Sequence, residues 1–270
     1  VTVENSDDTG EQPDHETLRA GDRVVMIDSK QRRYLVQLDP AKEFHTHSGA
    51  VRHDDVIGRP EGSEFRTVSN AKFIALRPTL ADHVLKMPRG AQVIYPKDLG
   101  PILMLADIHP GARVFESGLG SGALSTTLLR AGASITGYEL RQDFADNAVE
   151  NVEAFLGSEP LDRYNVHVRD AYDGIEHSGF DRAVLDIPEP WQVVPHLLGA
   201  LRRGGILVAY NPSIVQVQQL RRVLGEGPWA MIETIEVIQR GWHVDGYAVR
   251  PDHRMVGHTG FLTHARLLAG

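Results

Sequence analysis

The stretch RVFESGLGSGALS at 113–125 restricts the fold more than any other part of the chain. An apolar run ends in Glu116, glycines follow at 118, 120 and 122, and a helix-favouring ALSTTLL comes next. That order reads as strand, tight turn and helix start. Alternate glycines let the backbone turn sharply and leave peptide N–H groups open to a ligand. A dinucleotide fingerprint needs G-x-G-x-x-G, whereas the spacing here is G-x-G-x-G with an acid two residues ahead. The next strand-like run, 133–139, ends in a second acid, Glu139, 23 residues after Glu116. An acid there suits a ribose diol. Taken alone, such a turn also serves simply to join a strand to a helix, so the surrounding residues must decide the ligand.

Around this stretch, apolar runs alternate between strand and helix texture. Strand candidates lie at 113–116, 134–139, 165–169, 182–186 and 205–210, with helical spacing at 123–131, 142–156, 191–201 and 214–224. That alternation predicts an α/β domain with a doubly wound parallel sheet over 111–270. Two later β-like runs, 230–239 and 259–267, suit a terminal antiparallel pair, joined by a long loop rich in Gly, His and Arg. Ahead of this domain, short strand candidates at 23–27, 33–38, 43–46, 64–68 and 72–76 predict a small β-rich, barrel-like domain over 19–78. Residues 79–110 read as a helical linker, and 1–18 as a disordered acidic tail.

The 270 residues include no cysteine. Disulfides, cysteine–metal sites and thiol nucleophiles are thereby excluded, and the composition fits a cytoplasmic setting. No apolar run reaches membrane-spanning length, so no membrane partner is expected. Residues 1–18 hold six acids and no Lys or Arg, whereas 19–98 hold 14 Lys and Arg against 10 Asp and Glu. That mildly basic segment is compatible with nucleic acid, through Lys30, Arg32, Arg33, Lys42 and Arg52, and equally with an ordinary solvated face. Arg240, Arg250 and Arg254 are further candidates for phosphate contacts. His45-x-His47 has a spacing that can ligate metal. With no Cys and no second pair at zinc-site spacing, no metal is expected.

In an open α/β sheet, ligands bind beyond the carboxyl ends of the strands. Four successive ends carry acids: Glu116, Glu139, Asp170 and Asp186. Any one of them would serve as a helix N-cap; four together, beside the glycine turn, point to a ligand site. Asp186 opens DIPEPW, where prolines at alternate positions stiffen the loop and remove backbone donors. The carboxylate would then meet its partner from a fixed position. The indole of Trp191 would either face a flat ring or sit in the core.

With these residues in view the chain resembles the tRNA (adenine-58-N1)-methyltransferase family in its single-subunit form. The resemblance covers about 20–268, with FHTHSG and RHDDVIG at 44–58, Arg77-Pro78, QVIYPKD at 92–98, ESGLGSG at 116–122, LDIPEPW at 185–191, Tyr210-Asn-Pro212 with Gln216, and VGHTGFL at 256–262. It implies a Rossmann-like, seven-stranded methyltransferase sheet, S-adenosyl-L-methionine as cofactor, tRNA as substrate and a homotetramer. By motif, Gly118, Leu119, Gly120 and Ser121 would lie along the methionine part, and Gly122 would allow close helix packing. Glu139 would take the ribose hydroxyls, Asp170 would accept from the adenine amino group, and Phe144 would pack on that base. Gln92 and Tyr95 would close over the methyl end, with Asp186 as the catalytic acid residue that also reaches the cofactor. Two alternatives share part of this pattern: a class I methyltransferase acting on a small molecule or protein, and an inactive RNA-binding subunit. The first has no reason to carry YPKD and DIPEPW together. The second should lose the glycines or Asp186.

Overall fold

The computed structural model describes residues 16–269 except Ser48 and Ala91. The chain divides into two compact units, Val1–Lys86 and Met87–Gly270. The expected tail at 1–15 lies outside the described residues. Its last residues do not belong to a tail: Leu18 is fully buried in the core of the first unit, and its backbone bonds to Arg59 and Gly58.

The first unit contains β1 (Arg23–Asp28), β2 (Arg33–Gln37), β3 (Glu43–Thr46), β4 (Gly49–Arg52), β5 (Glu64–Arg66), β6 (Lys72–Leu76) and α1 (Leu80–Lys86). The order β2-β1-β6-β5 forms a four-stranded antiparallel sheet, and β3 pairs separately with β4. Alternation along β1 and β6 sends Val24, Met26, Phe73 and Ala75 into one core with Leu38, Val51 and Phe65. The Arg77 guanidinium, from the Arg77-Pro78 motif, closes this unit. It pairs with Glu61 and Asp22 at 2.8 and 2.9 Å and donates to the Thr17 carbonyl at 2.9 Å. The 79–110 segment is divided between the units, α1 in the first and α2 (Pro96–Leu105) in the second.

Four of the five basic residues proposed above for nucleic acid stand in ion pairs within their own unit. Arg32 meets Asp28, Arg33 meets Asp82, Lys42 meets Asp39 and Arg52 meets Asp54. The basic member of each pair is exposed, although Asp28 is buried; such pairs add little to stability, but they offset much of the local positive charge.

The second unit continues with β7 (Arg113–Ser117), α3 (Ala123–Arg130), β8 (Ser134–Glu139), α4 (Gln142–Leu156), β9 (Tyr164–Val168), β10 (Phe180–Leu185), α5 (Val194–Ala200), β11 (Leu201–Asn211), α6 (Ile214–Glu226), β12 (Trp229–Glu236), β13 (Trp242–Asp245), β14 (Ala248–Pro251) and β15 (Phe261–Leu267). Its seven-stranded sheet runs β12-β15-β11-β10-β7-β8-β9. The five strands β7 to β11 are mutually parallel, and β15 and β12 close one side antiparallel. Near-continuous apolar runs such as Ala183-Val184-Leu185 and Ile206–Ala209 suit a sheet covered on both faces. The expected fold class and the terminal antiparallel pair are both present. The segment read as a long loop also holds the hairpin β13–β14, in register Trp242↔Pro251 and Val244↔Val249.

Candidate active site

The glycine turn cinches three strand ends together. Gly118 adopts φ +86°, and its N–H donates to the Tyr138 carbonyl of β8 at 3.0 Å. The Asp186 N–H, just past β10, donates to the Ser117 carbonyl of β7 at 2.9 Å. A Cβ at position 118 would lie 2.1 Å from the Asp186 carbonyl oxygen, so only glycine permits this approach. Gly120 is also left-handed, at φ +51°, and donates its N–H to Glu139 Oε2 at 3.1 Å. Gly122 precedes α3, where a Cβ would stand 2.8 Å from the Ala148 carbonyl of α4.

Beyond these strand ends opens a cavity of about 480 Å³. Gln92, Gly118, Gly120, Glu139, Phe144, Asp170 and Asp186 all line it. Residues that sequence reasoning had not singled out complete it, among them Arg141, Arg169, Tyr172 and Ile187. Four of the expected residues lie off the lining. Leu119 is buried and its side chain packs on Gly137, Ser121 is buried, and Gly122 faces α4. Tyr95 sits just before α2, close enough to Tyr210 to bear on its titration. Glu139 Oε1 accepts from the Arg141 N–H at 3.1 Å, and the Arg141 guanidinium lies 3.8 Å over the Phe144 ring. Asp170 Oδ1 accepts from the Tyr172 N–H at 2.9 Å, so this acid both caps a short helical turn and faces the cavity.

Acidic groups crowd the turn. Glu116 is fully buried; its Oε1 accepts from the Ser125 hydroxyl at 2.9 Å, which accepts from the Tyr164 hydroxyl at 2.9 Å. Its Oε2 has no hydrogen-bond partner among the described residues. Burial pushes the Glu116 carboxyl up to about 8, and the nearby Asp186 and Glu139 push the same way. Burial, then Glu139, raises Asp186 to about 7. The donor set therefore fits a cationic nucleoside such as S-adenosylmethionine. Glu139, Asp170 and Asp186 line the cavity and offer acceptors to hydroxyl, amino and cationic groups, and Gly118 and Gly120 bring side-chain-free backbone to its edge. The N–H groups of Gly118, Gly120 and Gly122, expected above to stand open, are already bonded to Tyr138, Glu139 and Leu119.

The DIPEPW loop is held from two sides. Gln216 Nε2 donates to the Pro188 carbonyl at 2.9 Å, while its Oε1 accepts from the Ser213 N–H at 3.1 Å in a capping box that starts α6. The Glu189 N–H donates to the Tyr172 hydroxyl at 3.0 Å. Trp191 does not line the cavity; its indole packs against the apolar core, the second of the two readings offered above.

Sequence reasoning also missed what joins YPKD to GHTGFL. The Lys97 ammonium donates to Asp98 Oδ1 at 2.8 Å, to the Val237 carbonyl at 2.6 Å and to Thr259 Oγ1 at 2.6 Å. The Thr259 hydroxyl in turn donates to Asp98 Oδ2 at 2.7 Å. Both motifs were visible, but no local spacing reveals a contact across 162 positions. His258 bonds Glu236 at 2.6 Å through Nδ1 and the Pro212 carbonyl at 2.7 Å through Nε2, and the carboxylate raises its pKa. Among the described residues no group of three or more His, Cys, Asp or Glu is placed to hold a metal, and no helix is long and apolar enough to cross a membrane.

Comparison with known proteins adds sequence and fold relatives. A family model described as "tRNA methyltransferase complex GCD14 subunit" matches residues 72–249, and one described as "TrmI-like N-terminal" matches 17–64. The chain is 35% identical over 246 residues to the tRNA (adenine(58)-N(1))-methyltransferase TrmI of Thermus thermophilus, covering 90% of this chain and 96% of the relative. The crystal structure of a SAM-dependent O-methyltransferase from Thermotoga maritima superposes with TM-score 0.90 at 32% identity, covering 94% of this chain and 96% of that one. That of the tRNA (m1A58) methyltransferase TrmI from Aquifex aeolicus gives 0.84 at 26%, covering 94% and 100%. With the glycine turn, the four strand-end acids and these matches together, the chain belongs to the tRNA methyltransferase family described by the GCD14 subunit.

Proposed function

We propose that this chain transfers a methyl group from S-adenosyl-L-methionine to N1 of adenine 58 in the T-loop of tRNA. The observation that carries the reading is Asp186, fixed by its own backbone against Gly118 and exposed to the cavity. When bound, the cofactor supplies an electrophilic methyl group on a sulfonium.

The chain supplies the rest. Backbone along Gly118, Leu119, Gly120 and Ser121 receives the methionine part. Glu139 accepts from the ribose hydroxyls and Asp170 from the cofactor's amino group, while Phe144 packs on its base. Gln92 and Tyr95 close over the methyl end. Adenine N1 already has a lone pair, so the enzyme's main task is alignment. Asp186 accepts a hydrogen bond from the target N6 amino group and stabilises the positive charge that methylation places on the ring. The target base must leave its stack to be reached, at a cost of a few kcal/mol.

Labelled S-adenosylmethionine with unmethylated tRNA transcripts tests this directly. Label enters the wild-type transcript and is lost when adenine 58 is replaced by guanine. A second reading, methylation of a hydroxyl on a small molecule, draws on the Thermotoga neighbour, an O-methyltransferase by description, and on a carboxyl raised to about 7, the range of a general base. Cofactor binding with no label in any transcript would favour it.

The acceptor is engaged by a homo-oligomer, which the resemblance makes a homotetramer, and the cysteine-free composition supports a cytoplasmic setting. On the β13–β14 hairpin, Trp242, Val244 and Val249 share one face and are 58%, 69% and 59% exposed. A lone two-stranded hairpin is marginal in water, and this apolar face calls for a cover. Light scattering is expected to give four times the 29.8 kDa chain mass; a monomer would overturn the assembly.

A further inference from the structure

The buried ring around Lys97 lies outside the cofactor cavity and outside every role assigned above. Lys97 is 6% exposed and Asp98 fully buried. A buried ion pair is a poor route to stability, because desolvation offsets its attraction. What this one provides is geometry. An ammonium has three donors, and all three are placed: on Asp98, on the carbonyl of Val237 just past β12, and on Thr259 just ahead of β15. The Thr259 hydroxyl closes the ring on the other Asp98 oxygen. Three segments far apart in sequence are thereby held at one point.

The ring reaches the active site through its neighbours. Gly260 follows Thr259, and a Cβ there would enter the Tyr210 ring, 2.5 Å from Cζ and 2.6 Å from Cε2. Burial raises the Tyr210 hydroxyl to about 12, and Thr259 stands close enough to bear on its titration in the opposite sense. Tyr210 lies near the carboxyl end of β11, the strand beside β10, and Asp186 and Tyr95 both stand close enough to bear on its titration. The ring thus places a phenol beside the carboxylate that meets the acceptor.

We infer that Lys97, Asp98 and Thr259 are positioning residues that fix Tyr210 beside Asp186 as one wall of the acceptor pocket. The inference rests on the tRNA reading, so labelling of the transcript by the wild-type enzyme is read first, as a separate test of that reading.

The test uses the full chain, with Thr259→Val removing the hydroxyl at nearly constant volume and Thr259→Ser keeping it. Thr259→Val is expected to lower kcat/KM for tRNA by about 10- to 100-fold, the cost of a misplaced reacting group. Its Kd for S-adenosylmethionine should stay within about twofold and its melting temperature within a few degrees of wild type, while Thr259→Ser restores activity to within a few fold. Gly260→Ala, which displaces Tyr210 without touching the ring, should show the same split between catalysis and cofactor binding; it carries the test if Thr259→Val does not fold. Wild-type kcat/KM in both variants would overturn the inference. So would parallel losses of cofactor affinity, melting temperature and activity, which would make the ring a structural tie only.

Discussion

An Asp186→Asn enzyme is expected to bind S-adenosylmethionine within an order of magnitude of wild type and to transfer methyl groups about 10²- to 10³-fold more slowly. The substitution keeps the shape and the backbone bond to Ser117 but removes the charge that faces the methylated ring. The same carboxylate sets a pH profile. Because Asp186 titrates at about 7, the free enzyme holds it increasingly protonated below that pH. Wild-type kcat/KM should therefore rise with pH up to about 7 and level off above it. The asparagine variant should lack that limb. Transcript labelling across pH 5.5–9 checks both; undiminished turnover in Asp186→Asn would sink the assignment.

Gly118→Ala should act on fold and cofactor together. The new Cβ meets the Asp186 carbonyl at 2.1 Å and Ile187 Cγ2 at 3.0 Å, in a backbone held at φ +86°. Neither neighbour is the loose end of a long side chain, so β7 and β10 must part or the turn must change conformation. Overpacking and a left-handed alanine together should cost about 3 kcal/mol. Cofactor affinity, read by calorimetry, should fall about 100-fold, since loss of the preformed cradle adds an ordering cost to binding. Wild-type melting and affinity in this variant would show that the strand ends are not pinned as described.

The parts of this molecule that are legible in its sequence are those whose cause is local. The glycine turn needs three left-handed residues in five, and the parallel strands need apolar runs that end in polar caps; both are written within a dozen positions. The carboxyl-end rule then places Glu139, Asp170 and Asp186 around one cavity without knowledge of any contact. Leu119 and Ser121 show the limit of that logic. They belong to the turn, yet their side chains are buried away from the cavity, because side chains of adjacent residues leave the chain in different directions. The β13–β14 hairpin is within reach of sequence reasoning, since its two-residue loop, Gly246-Tyr247, has glycine at the first central position, but the glycines and charges around it read as loop. The ring of Lys97, Asp98 and Thr259 is not. Its members are joined by the return of the chain, and nothing in a window of residues encodes where a chain returns. Leu18 is misplaced by sequence alone because the acidic run before it sets the texture for the whole segment.

The place of β15 has a consequence for biosynthesis. It is the last strand of the sheet in chain order, yet it lies between β11 and β12 rather than at an edge. A nascent chain can assemble the parallel strands while translation continues, but β12 then has no neighbour, and β11 presents an open edge until Phe261–Leu267 leaves the ribosome. Such unpaired edges are where incomplete chains associate wrongly. The same insertion delivers Thr259 to Lys97, so the sheet and the ring beside the acceptor pocket are completed by one late event.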